Sequence, residues 1–185
     1  MIEEYYPSRV WKYCPYCGSQ NISWTDGTHK MSCGTCSKTF FINAASAVIA
    51  LIRNSEGKFL FTRRKNDPAA GKLDFPGGFV DIGERSEDAV AREVKEELDL
   101  DLTKVTYYTS IPNRYLYGGI TYFTLDSVYL CECGDLSGIS ANDDISDFVF
   151  MDINDVQPDD LGLESVKIIV GQLAAGSITH DFNEK

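Results

Sequence analysis

The chain of 185 residues is 43% hydrophobic and 12% aromatic, which is enough for one domain of ordinary size and a small appendage. No apolar run approaches the length of a membrane span, and the first residues lack the positive charge of a secretory signal. With a formal net charge of −11, the chain lacks the excess of basic residues that generic nucleic-acid binding requires. We therefore expect a cytoplasmic protein with no membrane contact, and the charge argues against a nucleic-acid partner.

Two Cys-x-x-Cys pairs stand near the N-terminus, with fifteen residues between them: Cys14 and Cys17, then Cys33 and Cys36. Pairs at this separation are typical of a structural zinc site in a zinc ribbon. Four thiolates would leave Zn²⁺ no open position, so one zinc per chain would stabilise the fold without catalysing. The alternative is a pair of disulfides, which an oxidising compartment would favour. We predict that the ribbon occupies residues 1–43.

Residues 44–185 alternate between strand and helix patterns, which predicts an α/β fold. The expected strands cover residues 44–53, 58–63, 73–75, 105–111, 119–133 and 148–151. One helix is expected from an N-cap at Ser86 to Leu98, and another at residues 163–175 with Gly176 after it. Two principal helices on either side of a mixed sheet would make an α/β/α sandwich.

The first of these helices carries Glu93, Glu96 and Glu97 on one side, beside its apolar face. Like charges at this spacing repel each other, and a shared divalent cation would relieve the repulsion because hard cations prefer carboxylate oxygens. The alternative is an amphipathic helix with a solvated acidic face. The spacing by itself leaves both interpretations open.

The window from Gly78 to Leu100 resembles the Nudix box, G-x5-E-x7-R-E-U-x-E-E-x-G-U, in which U is aliphatic. It departs from that pattern at Asp99, where the family has Gly and where the helix ends. Asp tolerates the left-handed backbone of a helix end better than most residues. The resemblance implies a Nudix α/β/α sandwich whose loop-helix-loop holds Mg²⁺ or Mn²⁺ and hydrolyses a nucleoside diphosphate derivative.

The resemblance also implies a set of metal ligands. Glu93, Glu96 and Glu97 match the metal-binding glutamates of the family. The Gly77 carbonyl lies where the family's loop offers a main-chain ligand to the metal. These four residues are the expected site of the catalytic cation.

Three further residues receive roles from the resemblance. Arg92 matches the arginine that orients the box carboxylates, and Glu84 matches the first box glutamate, which we expect beside the substrate. The general base is either a box glutamate or an acid from a later loop. Asp144 is our candidate for the latter, and a surface turn is the equally acceptable alternative for it.

A zinc ribbon ahead of the box resembles the NADH pyrophosphatase-like branch, in which a Ser-Gln-Pro-Trp motif follows the box. Here residues 110–113 read Ser-Ile-Pro-Asn, so only Ser and Pro match. Arg114 would then meet a phosphate, and Tyr115 or Tyr117 would stack on a base. The alternative is an aromatic pair on an edge strand that binds no ligand.

Three functions therefore stand beside each other. The first is a metal-dependent pyrophosphohydrolase that cleaves the diphosphate bridge of a nucleoside diphosphate derivative, with NADH and ADP-ribose as candidates. The second is a non-catalytic nucleotide sensor, against which the intact acid set argues. The third is a nucleic-acid module acting on capped RNA ends, against which the net charge argues. Members of the branch are often homodimers, so the resemblance makes a homodimer one candidate oligomeric state of this chain.

Overall fold

The structure is a computed structural model that describes residues 2–25 and 29–176. Its contacts divide the chain into two compact units. We call Met1–Ala45 with Arg114–Phe123 the ribbon unit, and Ser46–Asn113 with Thr124–Lys185 the sandwich unit. The predicted boundary after residue 43 lies close to the first division and stays a prediction.

The ribbon unit contains a short helix and a small sheet. A 3-10 turn at Ile2–Tyr5 precedes helix α1 (Pro7–Val10). Strands β1 (Ile22–Thr25), β2 (Lys30–Cys33) and β3 (Thr39–Phe41) pair antiparallel in the order β1-β2-β3. The sheet is small because a unit this short can bury little surface.

Two further sheets and two long helices build most of the remaining chain. The elements are β4 (Ala45–Ile52), β5 (Phe59–Arg64), β6 (Leu73–Asp74), α2 (Ser86–Leu98), β7 (Leu102–Tyr117), β8 (Ile120–Cys133), β9 (Ile145–Met151) and α3 (Glu164–Ala174). The strands pair in the orders β4-β8-β7 and β6-β5-β9, and they include antiparallel pairs of β5 and a parallel bridge between residues 73 and 161. The predicted α/β class with mixed strand directions is confirmed.

Strand β4 shows why the predicted sandwich forms. Its side chains alternate between two faces, and both faces are buried. Val48, Ala50 and Ile52 join the apolar cluster that contains the buried face of α2. Ile49 and Leu51 join the cluster that contains the buried residues of α3. A strand that is apolar on both faces needs a helix on each side, which gives an α/β/α sandwich.

The ends of α2 agree with the predictions at one terminus only. Ser86 was expected as the N-cap, but the helix begins at Ser86 and Arg85 is the N-cap. The Ser86 hydroxyl accepts a hydrogen bond from the Tyr129 hydroxyl at 2.6 Å, and the N-cap of the helix makes no side-chain hydrogen bond. At the other end, Asp99 adopts the expected left-handed conformation, with φ 55° and ψ 30°.

Among the described residues, no helix has both the length and the apolar character to cross a membrane.

Candidate active site

Helix α2 places the three predicted metal-binding glutamates at different depths. Its apolar face is fully buried, and Glu97 next to it is only 6% exposed. The Glu93 side chain is 14% exposed and the Glu96 side chain is 47% exposed. The acidic side of the helix therefore extends from the edge of the core to solvent. Of these three glutamates, only Glu96 fits the alternative of a solvated acidic face.

The turn at Gly77–Gly78 lies directly against strand β4 and over two of these carboxylates. Val48 N–H donates to the Gly78 carbonyl at 2.9 Å, and a Cβ on Gly77 would overlap the Val48 carbonyl. A Cβ on Gly78 would lie 2.6 Å from the carboxyl carbon of Glu93. At position 77 only glycine permits this approach to the backbone, whereas at position 78 a larger residue would require the Glu93 side chain to shift. The Gly77 N–H donates to Glu97 Oε2 at 3.1 Å, which ties the turn to the helix.

Arg92 joins the other box carboxylates. Its Nε and Nη2 donate to the two carboxylate oxygens of Glu84, both at 2.9 Å. Its Nη1 donates to Glu93 at 2.9 Å and to Glu96 at 3.0 Å. The Phe79 carbonyl accepts a further bond from Nη2 at 3.0 Å. This side chain therefore holds three carboxylates in fixed positions, which is the arrangement that the resemblance implies for it.

The pKa values of two carboxylates that Arg92 contacts, those of Glu84 and Glu93, shift in opposite directions. The hydrogen bonds from Arg92 lower the pKa of Glu84 to about 2, so Glu84 remains an anion. Burial raises the pKa of Glu93, and the charge of Arg92 offsets that effect only in part. Glu84 is therefore a permanent anchor for the guanidinium, whereas Glu93 keeps capacity to bind a cation.

Burial makes the charged form of Glu97 unfavourable. Burial raises its pKa to about 8, and the Gly77 N–H opposes this shift. The charges of Asp74, Glu93 and Asp144 raise it further. A buried carboxylate that is surrounded by other carboxylates is stabilised by either a proton or a cation. The donor set of hard oxygens fits a divalent cation such as Mg²⁺ or Mn²⁺.

Asp144 lies in an exposed loop that contacts the C-terminal end of α2. Asn142 N–H donates to the Glu97 carbonyl at 2.8 Å, which places the loop beside the acid cluster. Asn66 Nδ2 donates to Asp144 Oδ1 at 2.9 Å, and the charge of Asp144 acts on Glu97. The neighbouring Asp143 acts on Glu93 in the same way. The structure thus brings Asp144 near the box acids.

Asp74 and Arg64 also belong to this site, although no sequence motif indicated them. Asp74 is 9% exposed and accepts a hydrogen bond from Arg64 Nη1 at 2.8 Å. Burial raises its pKa, with Arg64 opposing the shift. The signal was a carboxylate between Leu73 and Phe75 in an otherwise apolar strand. Such a buried charge requires a partner, and the sequence could not show which basic residue supplies it.

The four ribbon cysteines converge, and their Sγ atoms all lie within 4.8 Å of one another. The Cys14–Cys36 and Cys17–Cys33 sulfur distances are both 3.7 Å. A tetrahedral zinc with Zn–S bonds of about 2.3 Å has sulfur atoms about 3.8 Å apart, so the donor set fits Zn²⁺. All four cysteines are free, as are Cys131 and Cys133, so the disulfide alternative finds no support.

Each cysteine pair has the same local turn. Gly18 N–H donates to the Cys14 carbonyl and Ser37 N–H donates to the Cys33 carbonyl, at 2.9 and 3.0 Å. Both donor residues have positive φ. The backbone N–H of Cys36 also points at the Cys33 sulfur and holds the pKa of that thiol below its usual range. Exposed main-chain donors of this kind stabilise thiolates, the form that binds a metal.

The predicted substrate-binding residues Arg114, Tyr115 and Tyr117 lie in the ribbon unit, at the tip of the β7–β8 hairpin. Arg114 Nη1 donates to the Tyr6 hydroxyl at 2.9 Å. The rings of Tyr115 and Tyr122 stack with centroids 6.0 Å apart, and Tyr117 packs on Tyr122 at 6.3 Å. Tyr117 is 56% exposed. Tyr122 is 40% exposed, so the aromatic pair is part of a small ring cluster with two exposed members.

Comparison with solved structures supports the fold. The MutT NUDIX hydrolase from Burkholderia pseudomallei is 25% identical, with a TM-score of 0.59 over 71% of this chain and 99% of that one. A NUDIX hydrolase from Nitrosomonas europaea is 18% identical, with a TM-score of 0.66 over 90% and 94%. The NUDIX domain of Shewanella oneidensis NrtR, solved with ADP ribose, is 19% identical and has a TM-score of 0.60 over 74% and 90%.

Curated relatives agree with the structures. A protein named NAD-capped RNA hydrolase NudC from Shigella dysenteriae is 33% identical over 131 residues, or 68% of this chain and 47% of the relative. The protein of the same name from Vibrio atlanticus is 32% identical over 101 residues, or 55% and 36%. The chain thus spans less than half the length of these relatives. The model of the NUDIX domain matches residues 43–170, and the chain therefore belongs to the Nudix hydrolase family.

Proposed function

We propose that the protein is a cytoplasmic hydrolase that cleaves the diphosphate bridge of a nicotinamide adenine dinucleotide, in a reaction that depends on Mg²⁺ or Mn²⁺. The observation that carries the proposal is the set of box carboxylates ordered by Arg92 beneath the Gly77–Gly78 turn. The names of the curated relatives support the choice of dinucleotide, either free or as the cap of an RNA. ADP-ribose contains the same diphosphate bridge and is the second candidate substrate.

The ligands proposed for the catalytic cation are Glu93, Glu96, Glu97 and the carbonyl of Gly77. A divalent cation here would neutralise the diphosphate and lower the pKa of a bound water. Burial makes the Glu97 carboxylate unfavourable unless a proton or a cation compensates it, and a divalent cation bound here would replace that proton. Zn²⁺ is proposed separately for the four ribbon cysteines, as a structural ion.

The remaining residues position these carboxylates and move a proton. Arg92 holds Glu93 and Glu96 in place, and Glu84 holds Arg92 through two hydrogen bonds. Glu84 is therefore proposed as a positioning residue at the mouth of the site. Asp144 is the proposed general base, because its carboxylate lies in an exposed loop beside Glu97 and can accept the proton of an attacking water.

A sensor that binds the dinucleotide without turnover is the alternative. Such a protein has no need for three ordered metal-binding carboxylates and a guanidinium that holds them. The acid set is intact in this chain, so hydrolysis is the better-supported proposal.

The test compares two glutamates of α2 that are equally exposed. The Glu96 side chain is 47% exposed and the Glu87 side chain is 48% exposed, so solvent screening is the same for both. Purified protein is incubated with NADH, NAD⁺, ADP-ribose or NAD-capped RNA, with Mg²⁺ or Mn²⁺, and products are separated by chromatography. We expect mononucleotide products, lost in Glu96→Gln and retained in Glu87→Gln. Binding of the dinucleotide with no product under any condition would instead support the sensor.

A further inference from the structure

The two units of this chain differ in charge in a way that the net value conceals. By residue count, the ribbon unit carries five basic and three acidic residues, a net charge of +2. The sandwich unit carries twelve basic and twenty-five acidic residues, a net charge of −13. The negative net charge of the chain therefore comes from the sandwich unit alone, and the charge of the ribbon unit is compatible with a nucleic-acid partner.

The first cysteine pair presents two large aromatic side chains to solvent. Tyr13 is 57% exposed and Tyr16 is 68% exposed. Lys38, just after the second pair, has its Nζ 5.0 Å above the Tyr16 ring. This cation–π contact covers one face of the ring and leaves the other accessible. We call Tyr13, Tyr16 and Lys38 the knuckle surface.

The small sheet adds a polar face to the same unit. In its register Thr25, Lys30 and Phe41 stand opposite one another across the three strands, so their side chains share one face. Phe41 is 61% exposed. The neighbouring row on this face consists of three hydroxyl residues: Ser23, Ser32 and Thr39. The other face carries the buried Met31, so the hydroxyl face is the accessible one.

Both places in the ribbon unit combine an exposed ring with a lysine, Tyr16 with Lys38 and Phe41 with Lys30, and this combination suits one class of partner. Unpaired bases stack on aromatic side chains, and lysines neutralise the phosphates between them. A duplex cannot use such a surface, because its bases are already stacked on one another. The strongly negative sandwich unit repels a polyanion, so attraction is confined to the ribbon.

We propose that the ribbon unit binds single-stranded RNA, with Tyr13 and Tyr16 stacking on bases and Lys30 and Lys38 contacting phosphates. The choice of RNA rests on the proposed function, in which a dinucleotide cap is one form of the substrate. The hydroxyl row supports this choice, since hydroxyl side chains can pair with the ribose 2′-hydroxyl. The zinc ribbon then has a binding role in addition to a structural one.

The test measures binding of an uncapped, fluorescently labelled RNA of twelve nucleotides to the full, zinc-loaded chain by anisotropy. No Mg²⁺ or Mn²⁺ is added, so binding is measured without turnover. Tyr16→Ala should weaken binding about fivefold or more, and Tyr13→Ala with Tyr16→Ala still further. Two phosphate contacts predict a slope of about −1.4 for log affinity against log salt, and Lys38→Gln should reduce it by about 0.7.

Matched controls come from the sandwich unit. Tyr107 is 57% exposed, as Tyr13 is, and Tyr107→Ala should leave RNA binding unchanged. Lys167 is exposed on α3, and Lys167→Gln should leave the salt slope unchanged. The duplex and the matching DNA strand should both bind more weakly than the RNA. Zinc content and thermal unfolding show that each variant is folded; if a tyrosine variant loses zinc, Lys38→Glu replaces it and should weaken binding more than Lys38→Gln.

Several results would overturn the proposal. These are no RNA binding at low salt, equal loss in Tyr107→Ala and Tyr16→Ala, or equal affinity for RNA, DNA and duplex. A change of oligomeric state in the tyrosine variants with unchanged RNA affinity would assign the surface to a second copy of the chain. Hydrolysis of free NADH should be unchanged by Tyr13→Ala and Tyr16→Ala. If no variant or wild type hydrolyses NADH, the proposed function fails, whereas RNA binding is still measured.

Discussion

The cysteine cluster and the carboxylate cluster are two candidate metal sites that are built in different ways. The cysteines come from two short turns with the same backbone hydrogen bond, within 23 residues of chain. The carboxylates come from α2, β6 and the loop at 142–144, and the Gly77–Gly78 turn donates a main-chain hydrogen bond to one of them. A site made by local turns can form as soon as its metal binds, whereas a site made by distant elements requires the complete sandwich.

The two clusters also differ in how their charge is compensated. A metal displaces the thiol protons when it binds, so the metal-free cysteine cluster carries less negative charge than four thiolates would. Hydrogen bonds from Arg92 and Arg64 offset part of the negative charge of the carboxylate cluster, and burial still disfavours the charged form of Glu97. We therefore expect loss of metal to unfold the first region and to leave the second folded but inactive.

The largest expected effect is that of Cys14→Ser. With one thiolate removed, the variant should lose its zinc, which contributes on the order of 10 kcal/mol to folding in small zinc modules. Amide hydrogen exchange should then rise first in residues 1–43, because so short a segment cannot bury enough surface alone. Metal analysis and hydrogen-exchange mass spectrometry provide the measurements. Cys133→Ser, outside the cluster, should keep its zinc; a full zinc complement in Cys14→Ser contradicts the ligand assignment.

The next effect is that of Glu97→Gln on hydrolysis. Removing the buried ligand charge should cost at least about 3 kcal/mol of transition-state stabilisation, or about a hundredfold in kcat/KM. The free energy of unfolding of the metal-free protein should stay the same or rise, since repulsion within the acid cluster is relieved. Steady-state kinetics over a range of Mg²⁺ and urea unfolding test both parts. Turnover near that of the wild type at saturating Mg²⁺ would rule out Glu97 as a ligand.

Stability against pH is the third way to separate the two clusters. The folded-state pKa of Glu97 is raised from 4.5 to about 8, so the folded protein keeps this proton longer than the unfolded chain does. The protein without divalent cations but with zinc bound should be most stable below pH 4.5 as far as this group is concerned. It should then lose up to a few kcal/mol as the pH rises to about 8.

Urea unfolding at several pH values measures this loss. Glu97→Gln should flatten the pH dependence, and added Mg²⁺ should restore stability at the alkaline end. Glu87→Gln is the control and should keep the slope of the wild type. A slope that is the same in Glu97→Gln and the wild type would show that other groups cause it.

The smallest effect concerns the hairpin tip. Alanine at both Tyr115 and Tyr117 should cost roughly 1–2 kcal/mol of substrate binding if a ring stacks on the base. This corresponds to about a five- to thirtyfold loss in kcat/KM, mainly through KM, with unchanged Mg²⁺ dependence. Tyr107→Ala is the matched control. Full activity of the double variant on every adenine compound would identify these tyrosines as structural.

Much of this protein could be predicted because its informative patterns are local. The i, i+3, i+4 glutamates, the left-handed Asp99 and the two cysteine turns each lie within a few residues of chain, so spacing determines their geometry. The apolar run of β4 likewise predicts a strand that is buried on both faces. The preference of Ser86 for the N-cap position did not determine where the helix begins, and the Ser86 hydroxyl instead accepts a hydrogen bond from Tyr129.

Only the tertiary structure decided how the local pieces combine. The pairing of Asp74 with Arg64 and the contact of the Gly77 amide with Glu97 join residues 10 and 20 positions apart. The same holds for the grouping of the hairpin tip with residues 1–45, which divides the charge into a basic and an acidic unit. Burial raises the pKa of Glu97, and burial is a property of the assembled core and not of the sequence around a residue. The sequence by itself therefore determined the family, the ligand types and the elements, whereas packing decided which carboxylate is buried and is therefore hard to ionise.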